Sequence, residues 1–243
     1  MYVVALNGSA RREKGVTTTL TSALLSGMQE EGAEVELLYL RQMEIEPCLG
    51  RFDCWYKSPG RCSVEDDMQR LYPRLRTADC WVIGAPVYMD GIPGPMKNVF
   101  DRLLPFVEPT VEVRDGRVRH TMGVGVKGGS LILASVCGHW EMETFDPLLT
   151  YIQAFCDSSH RTFAGALLRP HAAEFVQLLK NSGGDDILSA AHEAGRQFMH
   201  TGVLPADKLA AVSRPLLTRE EYIDRANDRM AQLMSSGERR MAA

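Results

Sequence analysis

Tyr2-Val3-Val4-Ala5-Leu6 runs straight into Asn7-Gly8-Ser9-Ala10-Arg11-Arg12-Glu13-Lys14-Gly15-Val16-Thr17-Thr18-Thr19. The first five residues read as a short buried strand. From Thr17 the apolar residues recur at helical spacing, with Leu20, Ala23, Leu24 and Met28 on one face, and Gly32 stops the helix. The segment between is a strand-to-helix loop rich in hydroxyls. A helix start exposes unpaired N–H groups and the positive end of the macrodipole, so such a junction attracts a phosphate. Ser9, Thr17, Thr18 and Thr19 offer hydroxyl donors, and Arg11 offers a charge-assisted pair. The plainer alternative is an ordinary turn with a threonine cap. The spacing is neither G-x-x-x-x-G-K-[ST] nor G-x-G-x-x-G, so it matches neither familiar nucleotide signature.

The same rhythm continues outward. Apolar runs at 35–40, 80–85, 130–136 and 162–168 read as further strands, the one at 80–85 continuously apolar as a central strand should be. Ser63 is expected to cap a helix with Asp66 at the capping-box position and Met68, Leu71 and Leu75 facing inward. Pro93 and Pro95 open another helix, with Met96, Val99, Phe100, Leu103 and Leu104 inside. A helix carrying Phe145, Leu148, Leu149 and Ile152 follows the fourth strand, and a last core helix spans roughly 185–200. Residues 110–120 alternate around Asp115-Gly116 and read as a small hairpin insertion. Strands alternating with helices imply an α/β fold, a doubly wound five-stranded parallel sheet of order 2-1-3-4-5 with helices on both faces.

The domain is expected over 1–203, with a C-terminal extension, 204–243, holding one helix. That helix opens on the capping box Thr218-Arg219-Glu220-Glu221 and carries Ile223, Ala226, Met230 and Leu233, a face for a partner subunit or for its own domain. Met241-Ala242-Ala243 is expected to fray.

Bulk composition narrows the function. A length of 243 residues suits one α/β domain with extensions, and 45% hydrophobic residues support a proper core. A net charge of −4 argues against a nucleic-acid partner or an anionic membrane surface. No apolar run is long enough to span a bilayer. The first strand leaves no room for a signal peptide, so a cytoplasmic location is expected, and the six cysteines read as thiols, ligands or core residues before disulfides.

In a sheet of this order, ligands bind beyond the carboxyl ends of the strands, where the loops after strands one, three and four converge. The loop Gly84-Ala85-Pro86-Val87-Tyr88-Met89-Asp90-Gly91 has amides for the polar edge of a flat ring, and Tyr88 for its face. Ser135-Val136-Cys137-Gly138-His139 has small residues that let a ring approach the backbone, with His139 able to orient a carbonyl edge. A tight connection with an incidental tyrosine and a solvated histidine is the simpler reading of both loops.

These motifs resemble the NAD(P)H-dependent FMN reductases of flavodoxin-like fold, and among them the branch containing the iron–sulfur flavoproteins. Gly8-Ser9-Ala10-Arg11 with Thr17-Thr18-Thr19-Leu20 is similar to that family's phosphate loop, usually G-S-P-R followed by G-N-T. Gly84-Ala85-Pro86-Val87-Tyr88 is similar to its S-P-V-Y isoalloxazine loop, and Asp66-Asp67-Met68 ahead of Ala78-Asp79 to its segment before strand three. Ala10 replaces the usual proline and Val16 the usual asparagine, which removes one polar contact. The resemblance covers roughly 2–170, with a weaker echo at 218–227.

It implies that Ser9, Arg11 and Thr17, Thr18 and Thr19 hold the FMN phosphate. Pro86, Val87, Tyr88, Met89, Asp90 and Gly91 would hold the ring, and Ser135, Cys137, Gly138 and His139 would close its other side. NAD(P)H is the implied electron donor, and a quinone, free flavin or other small molecule the acceptor. No side chain need act as acid or base, so no catalytic residue is assigned. The alternative is a non-enzymatic flavodoxin-like or iron–sulfur flavoprotein electron carrier. Simple flavodoxins are shorter and strongly acidic, so the mild charge favours an oxidoreductase. A homodimer or homotetramer is implied, with the hairpin and tail helix as contacts.

The same branch carries C-x2-C-x2-C-x4–7-C in the loop at 46–62. Here Cys48, Cys54 and Cys62 fall on the first, third and fourth positions, and Arg51 stands on the second. A [4Fe–4S] cluster normally takes four thiolates, so an iron–sulfur cluster is not expected; the alternative is a cluster on Cys48, Cys54 and Cys62 with an outside ligand. The loop would instead shape the pocket or a subunit contact, with Trp55 and Tyr56 as anchors. Another option is redox-active thiols, with Cys48 and Cys54 closing a disulfide and Arg51 lowering a thiol pKa.

Overall fold

The computed structural model describes residues 1–235; the expected frayed end, Met241-Ala242-Ala243, lies outside them. Strands β1 (Tyr2–Asn7), β2 (Glu34–Tyr39) and β3 (Cys80–Pro86) are followed by β4 (Val107–Arg114), β5 (Arg117–Met122), β6 (Gly129–Val136) and β7 (Arg161–Arg169). Five of them form one sheet in the order β2-β1-β3-β6-β7, parallel throughout. With the separate antiparallel hairpin β4–β5 set aside, this is the expected order 2-1-3-4-5. The hairpin reaches beyond the expected 110–120 at both ends.

Alternation along each strand sorts the core into two layers. Val3, Ala5 and Val82 meet Leu20, Leu24 and Met28 of α1 (Val16–Glu30). Val4, Leu6, Trp81 and Ile83 face the other way. They meet α3 (Met68–Thr77) through Leu71 and Leu75, α4 (Gly94–Asp101) through Met96 and Val99, and α5 (Asp146–Ser158) through Leu148 and Ile152. A four-residue helix, α2 (Asp53–Tyr56), lies in the cysteine loop.

On the α1 side, α6 (Ala172–Lys180), α7 (Asp185–Thr201) and α8 (Ala206–Ser213) complete the layer, and α9 (Arg219–Ser235) follows. Helices α6 and α8 were not anticipated. Among the described residues the extension from 204 therefore holds two helices where one was expected. Its first part belongs to the core: Leu204 and Val212 are buried, and Arg169 donates to the carbonyls of Val212 (2.6 Å) and Arg214 (2.8 Å).

Helices α1 and α7 touch backbone to backbone at two glycines. A Cβ on Gly195 would fall on the Leu24 carbonyl, and one on Gly27 on the His192 carbonyl. Gly195→Ala is expected to destabilise by about 1–3 kcal/mol, because the helices must separate. A lower urea midpoint at unchanged slope would register this.

The Ser63 capping box is corrected by the structure. Asp67 is the residue before α3, and Ser63 accepts from Arg51 instead (3.2 Å). Asp66 does accept the Met68 amide (3.0 Å), but its main partner is Arg102 of the segment after α4, at 2.7 and 3.1 Å. The tail capping box does form: Thr218 and Glu221 exchange backbone-to-side-chain bonds of 2.9 and 3.2 Å.

Candidate functional site

At the carboxyl ends of β1, β3 and β6 the loops enclose a cavity of about 300 Å³. Ser9, Arg11, Gly15 and Thr17 line one end, Pro86, Val87 and Tyr88 a second wall, and Cys137 and Gly138 a third.

The first end is braced from below. Asn7, buried at the last position of β1, accepts the Ser9 amide (2.8 Å) and donates to the Thr18 hydroxyl (2.9 Å). Thr18 passes its own proton to the Arg12 carbonyl, and the Gly8 amide donates across to Gly84 (2.8 Å). The Thr19 amide makes the first bond of α1, to the Gly15 carbonyl (3.1 Å). The amides of Val16, Thr17 and Thr18 precede it and have no intrahelical acceptor, which is the arrangement that holds an anion. Gly15 leaves them accessible: a Cβ there would fall on the Ser9 hydroxyl. Arg11 is exposed at the rim and makes no ion pair among the described residues.

Of the five residues read as phosphate ligands, Ser9, Arg11 and Thr17 thus face the cavity. The hydroxyls of Thr18 and Thr19 are engaged with loop and helix carbonyls, the latter with Gly15 at 3.3 Å.

The ring-side residues divide similarly. The Val87 amide donates to Val136 (2.9 Å), and Tyr88 and Gly91 pair backbone to backbone (3.0 and 3.1 Å), forming a tight loop with half-exposed Tyr88. Met89 and Asp90 stand at its tip with positive φ, and Met89 is 98% exposed, outside the cavity wall. Ser135 is fully buried and donates to Ala85 (2.7 Å), tying β6 to β3. His139 is exposed; its carbonyl accepts the His171 amide (2.9 Å). Burial pushes the Cys137 thiol up to about 11, so it sits in the wall as a neutral thiol.

The remaining wall was not foreseen: Ala172, Ala173 and Val176 of α6 close the cavity opposite β3. The signal available was the repeat itself, since every core strand is followed by a helix and residues after β7 carry Phe175, Leu178 and Leu179 at helical spacing. Asn7 was also missed, though a polar residue closing an apolar strand is a cue.

Helix α9 straps the loop after β6. Tyr222 donates its hydroxyl proton to the Gly138 carbonyl (2.7 Å), and Trp140 donates to Leu217 (3.2 Å). Arg219 pairs with Glu141 (3.1 Å), while Arg225 and Arg229 meet buried Glu174 of α6. The tail therefore packs on its own domain, yet Ile223, Met230 and Met234 of α9 are exposed. Tyr222→Phe frees Gly138, and FMN affinity is expected to fall about fivefold, as one neutral hydrogen bond accounts for. Fluorescence titration with FMN measures this.

The cysteine loop is gathered elsewhere. Arg102, 1% exposed, donates to the carbonyls of Glu46 (2.9 Å) and Val64 (3.3 Å) as well as to Asp66, so it ties together both ends of the loop. Trp55 anchors it to the hairpin by donating to Val107 (2.8 Å) and lying 4.8 Å from the His120 ring; Tyr56 is exposed. Cys48, Cys54 and Cys62 are unpaired thiols. Burial, then the neighbouring thiols Cys62 and Cys48, raise the Cys54 thiol, against the expectation that Arg51 lowers one. Arg51 instead lies 3.6 Å from Asp53. Three thiols and a guanidinium do not fit a four-thiolate cluster. No three His, Cys, Asp or Glu among the described residues are placed to hold a metal ion.

No helix among the described residues is long and apolar enough to cross a membrane. The fold is shared with solved flavoenzymes. An FMN-dependent NADH-azoreductase from Bacillus anthracis, solved in complex with FMN, superposes with a TM-score of 0.57 at 13% identity, covering 82% of this chain and 100% of that one. An NAD(P)H:quinone oxidoreductase from Methanothermobacter marburgensis gives 0.56 at 16% identity, over 82% of this chain and 96% of that one. In sequence, an iron–sulfur flavoprotein of Methanocaldococcus jannaschii is 36% identical over 105 residues, 43% of this chain and 53% of that protein. The chain spans about half the length of the curated relatives it matches. The sequence model of the NADPH-dependent FMN reductase family matches residues 1–135, the segment that supplies β1, β3 and the phosphate-side loop of the cavity. By that match, over more than half of its length, the chain belongs to the NADPH-dependent FMN reductase family.

Proposed function

We propose that the protein is an FMN-dependent NAD(P)H oxidoreductase that passes two electrons from a nicotinamide to a quinone, flavin or other small acceptor. The observation that carries this reading is the cavity at the start of α1, walled by Gly15, Thr17 and Ser9 at one end and by Val87, Tyr88 and Gly138 at the other. The site suits an anionic mononucleotide: free amides and hydroxyls with Arg11 at the phosphate end, small and apolar residues at the ring end. FMN, when bound, supplies the hydride chemistry. Asn7 and Thr18 would hold the phosphate loop in shape, Tyr88 would stand in the wall at the ring end, and Tyr222 would fix the Gly138 side through its hydrogen bond. The neutral Cys137 thiol packs without competing as a nucleophile.

The mouth beside Tyr88 is open to solvent, which suits a diffusible nicotinamide and acceptor. Exposed apolar side chains on α9 (Ile223, Met230) and on the hairpin (Val111, Val113) support a homodimer or homotetramer. Six unpaired thiols support a cytoplasmic setting.

The test is steady-state oxidation of NADH and NADPH by the FMN-loaded chain, with and without a quinone. Turnover with one nucleotide is expected to rise when quinone is added. A chain that neither nucleotide reduces at millimolar concentration is an electron carrier instead.

A further inference from the structure

Beneath the hairpin, at the amino ends of the strands and so at the far end of the sheet from the cofactor cavity, lies a second cavity of about 370 Å³. Trp81, Phe106, Phe100 and Phe155 line it, the last two stacked at 4.2 Å. Arg119 and Arg161 line it and also line an adjoining polar cavity of about 490 Å³. At these two shared arginines an apolar space borders a basic one.

Arg161 is the anomaly in this place. It is buried, stacks 3.6 Å over the Trp81 ring, and donates only to carbonyls, those of Ser130, Leu75, Ala78 and Lys127, at 3.3–3.4 Å. No carboxylate among the described residues pairs with it: nearby Asp79 is taken by Lys127 and by the Tyr2 amide (2.7 Å). Burial pulls its pKa down to about 10, the sign of an uncompensated charge held out of water. The polar chamber carries four arginines against Asp115 and Asp157. Asp157 faces Arg117 at 4.0 Å, and Arg114 lies 3.8 Å from Glu112 and against His160. Arg119 donates only to the Val118 carbonyl (3.0 Å), and the buried Nδ1 of His120, also in the apolar wall, has no partner.

We propose that these adjoining cavities are a second ligand site, taking a flat aromatic carboxylate whose ring lies among Trp81, Phe106 and Phe155 and whose acid group meets Arg161 and Arg119. The aromatic walls supply area burial and ring contacts. The carboxylate supplies the counter-charge that Arg161 lacks, through charge-assisted hydrogen bonds. The site is independent of the flavin cavity, so its occupant need not be an electron acceptor.

The test titrates the FMN-saturated full chain with 2-naphthoate and with its neutral analogue 2-naphthalenemethanol, by calorimetry. Naphthoate should bind one site per chain without releasing FMN, about tenfold tighter than the alcohol, as one charge-assisted bond provides. Arg119→Gln leaves the core and Arg161 untouched, and should reduce that advantage while leaving the affinity for the alcohol unchanged. In the unaltered chain, added salt should weaken naphthoate alone. Equal affinity for acid and alcohol, no naphthoate binding at millimolar concentration, or displacement of FMN would each overturn the proposal. So would sedimentation showing that naphthoate binds only as an oligomer dissociates, because the cavity would then belong to a second copy of the chain.

Discussion

Asp66→Ala should destabilise the protein by about 3–5 kcal/mol, the expected penalty for leaving a buried guanidinium unpaired. The Arg102 and Asp66 side chains are 1% and 5% exposed, and two bonds of 2.7 and 3.1 Å join them. Burial alone would raise the Asp66 pKa. The Arg102 hydrogen bond, the Glu46 and Met68 amides and the Arg102 charge more than offset it, and hold the carboxyl below the ordinary aspartate value. A depressed folded-state pKa contributes stability that is complete above the unfolded value and lost as pH falls through the folded one. The difference between wild type and Asp66→Ala should thus be full at neutral pH and shrink below about pH 4. The double change Asp66→Leu with Arg102→Met should recover much of the loss, since replacing both partners removes the stranded charge. Chemical denaturation across pH measures all of this. A single-variant loss under about 1 kcal/mol would show that water reaches the pair.

Gly15→Val should lower FMN affinity about a hundredfold, equivalent to losing two charge-assisted bonds, while leaving the sheet intact. The valine Cβ would fall on the Ser9 hydroxyl and stand 3.3 Å from the Arg12 carbonyl, so the phosphate loop must open. The bulk would cover the amides of Val16 and Thr17 that the glycine leaves free. Equilibrium dialysis with FMN, beside an unfolding curve, separates lost binding from lost folding. Unchanged affinity would mean that the anion does not sit on this helix start.

These two residues show where sequence reading succeeds and where it stops. The β1-loop-α1 junction was legible because its signals are local: an apolar run, a loop of hydroxyls and helical spacing lie within about twenty residues, as helix-start chemistry requires. The sheet order followed from the repeat of such units. Asp66 was misread because its partner is 36 positions away, and a tertiary ion pair overrides a local capping preference. Thr18 and Thr19 looked equivalent to Thr17 in sequence, yet only Thr17 faces the cavity, since successive helix positions point about 100° apart. Helices α6 and α8 span only nine and eight residues, so their periodic pattern is brief, and α6 still lines the cavity at the start of α1. The cysteine motif shows the converse. Its spacing looks like a ligand set, but Arg51 supplies a cation where a thiolate is required, and the loop is held by Arg102 and Trp55 instead.

The most direct test of the account compares FMN with riboflavin, which lacks only the phosphate, by titrating cofactor-free protein and following flavin fluorescence. If the start of α1 is the anchor, FMN binds one per chain and about a hundredfold more tightly than riboflavin. Equal affinities, or no association of FMN at all, would contradict it.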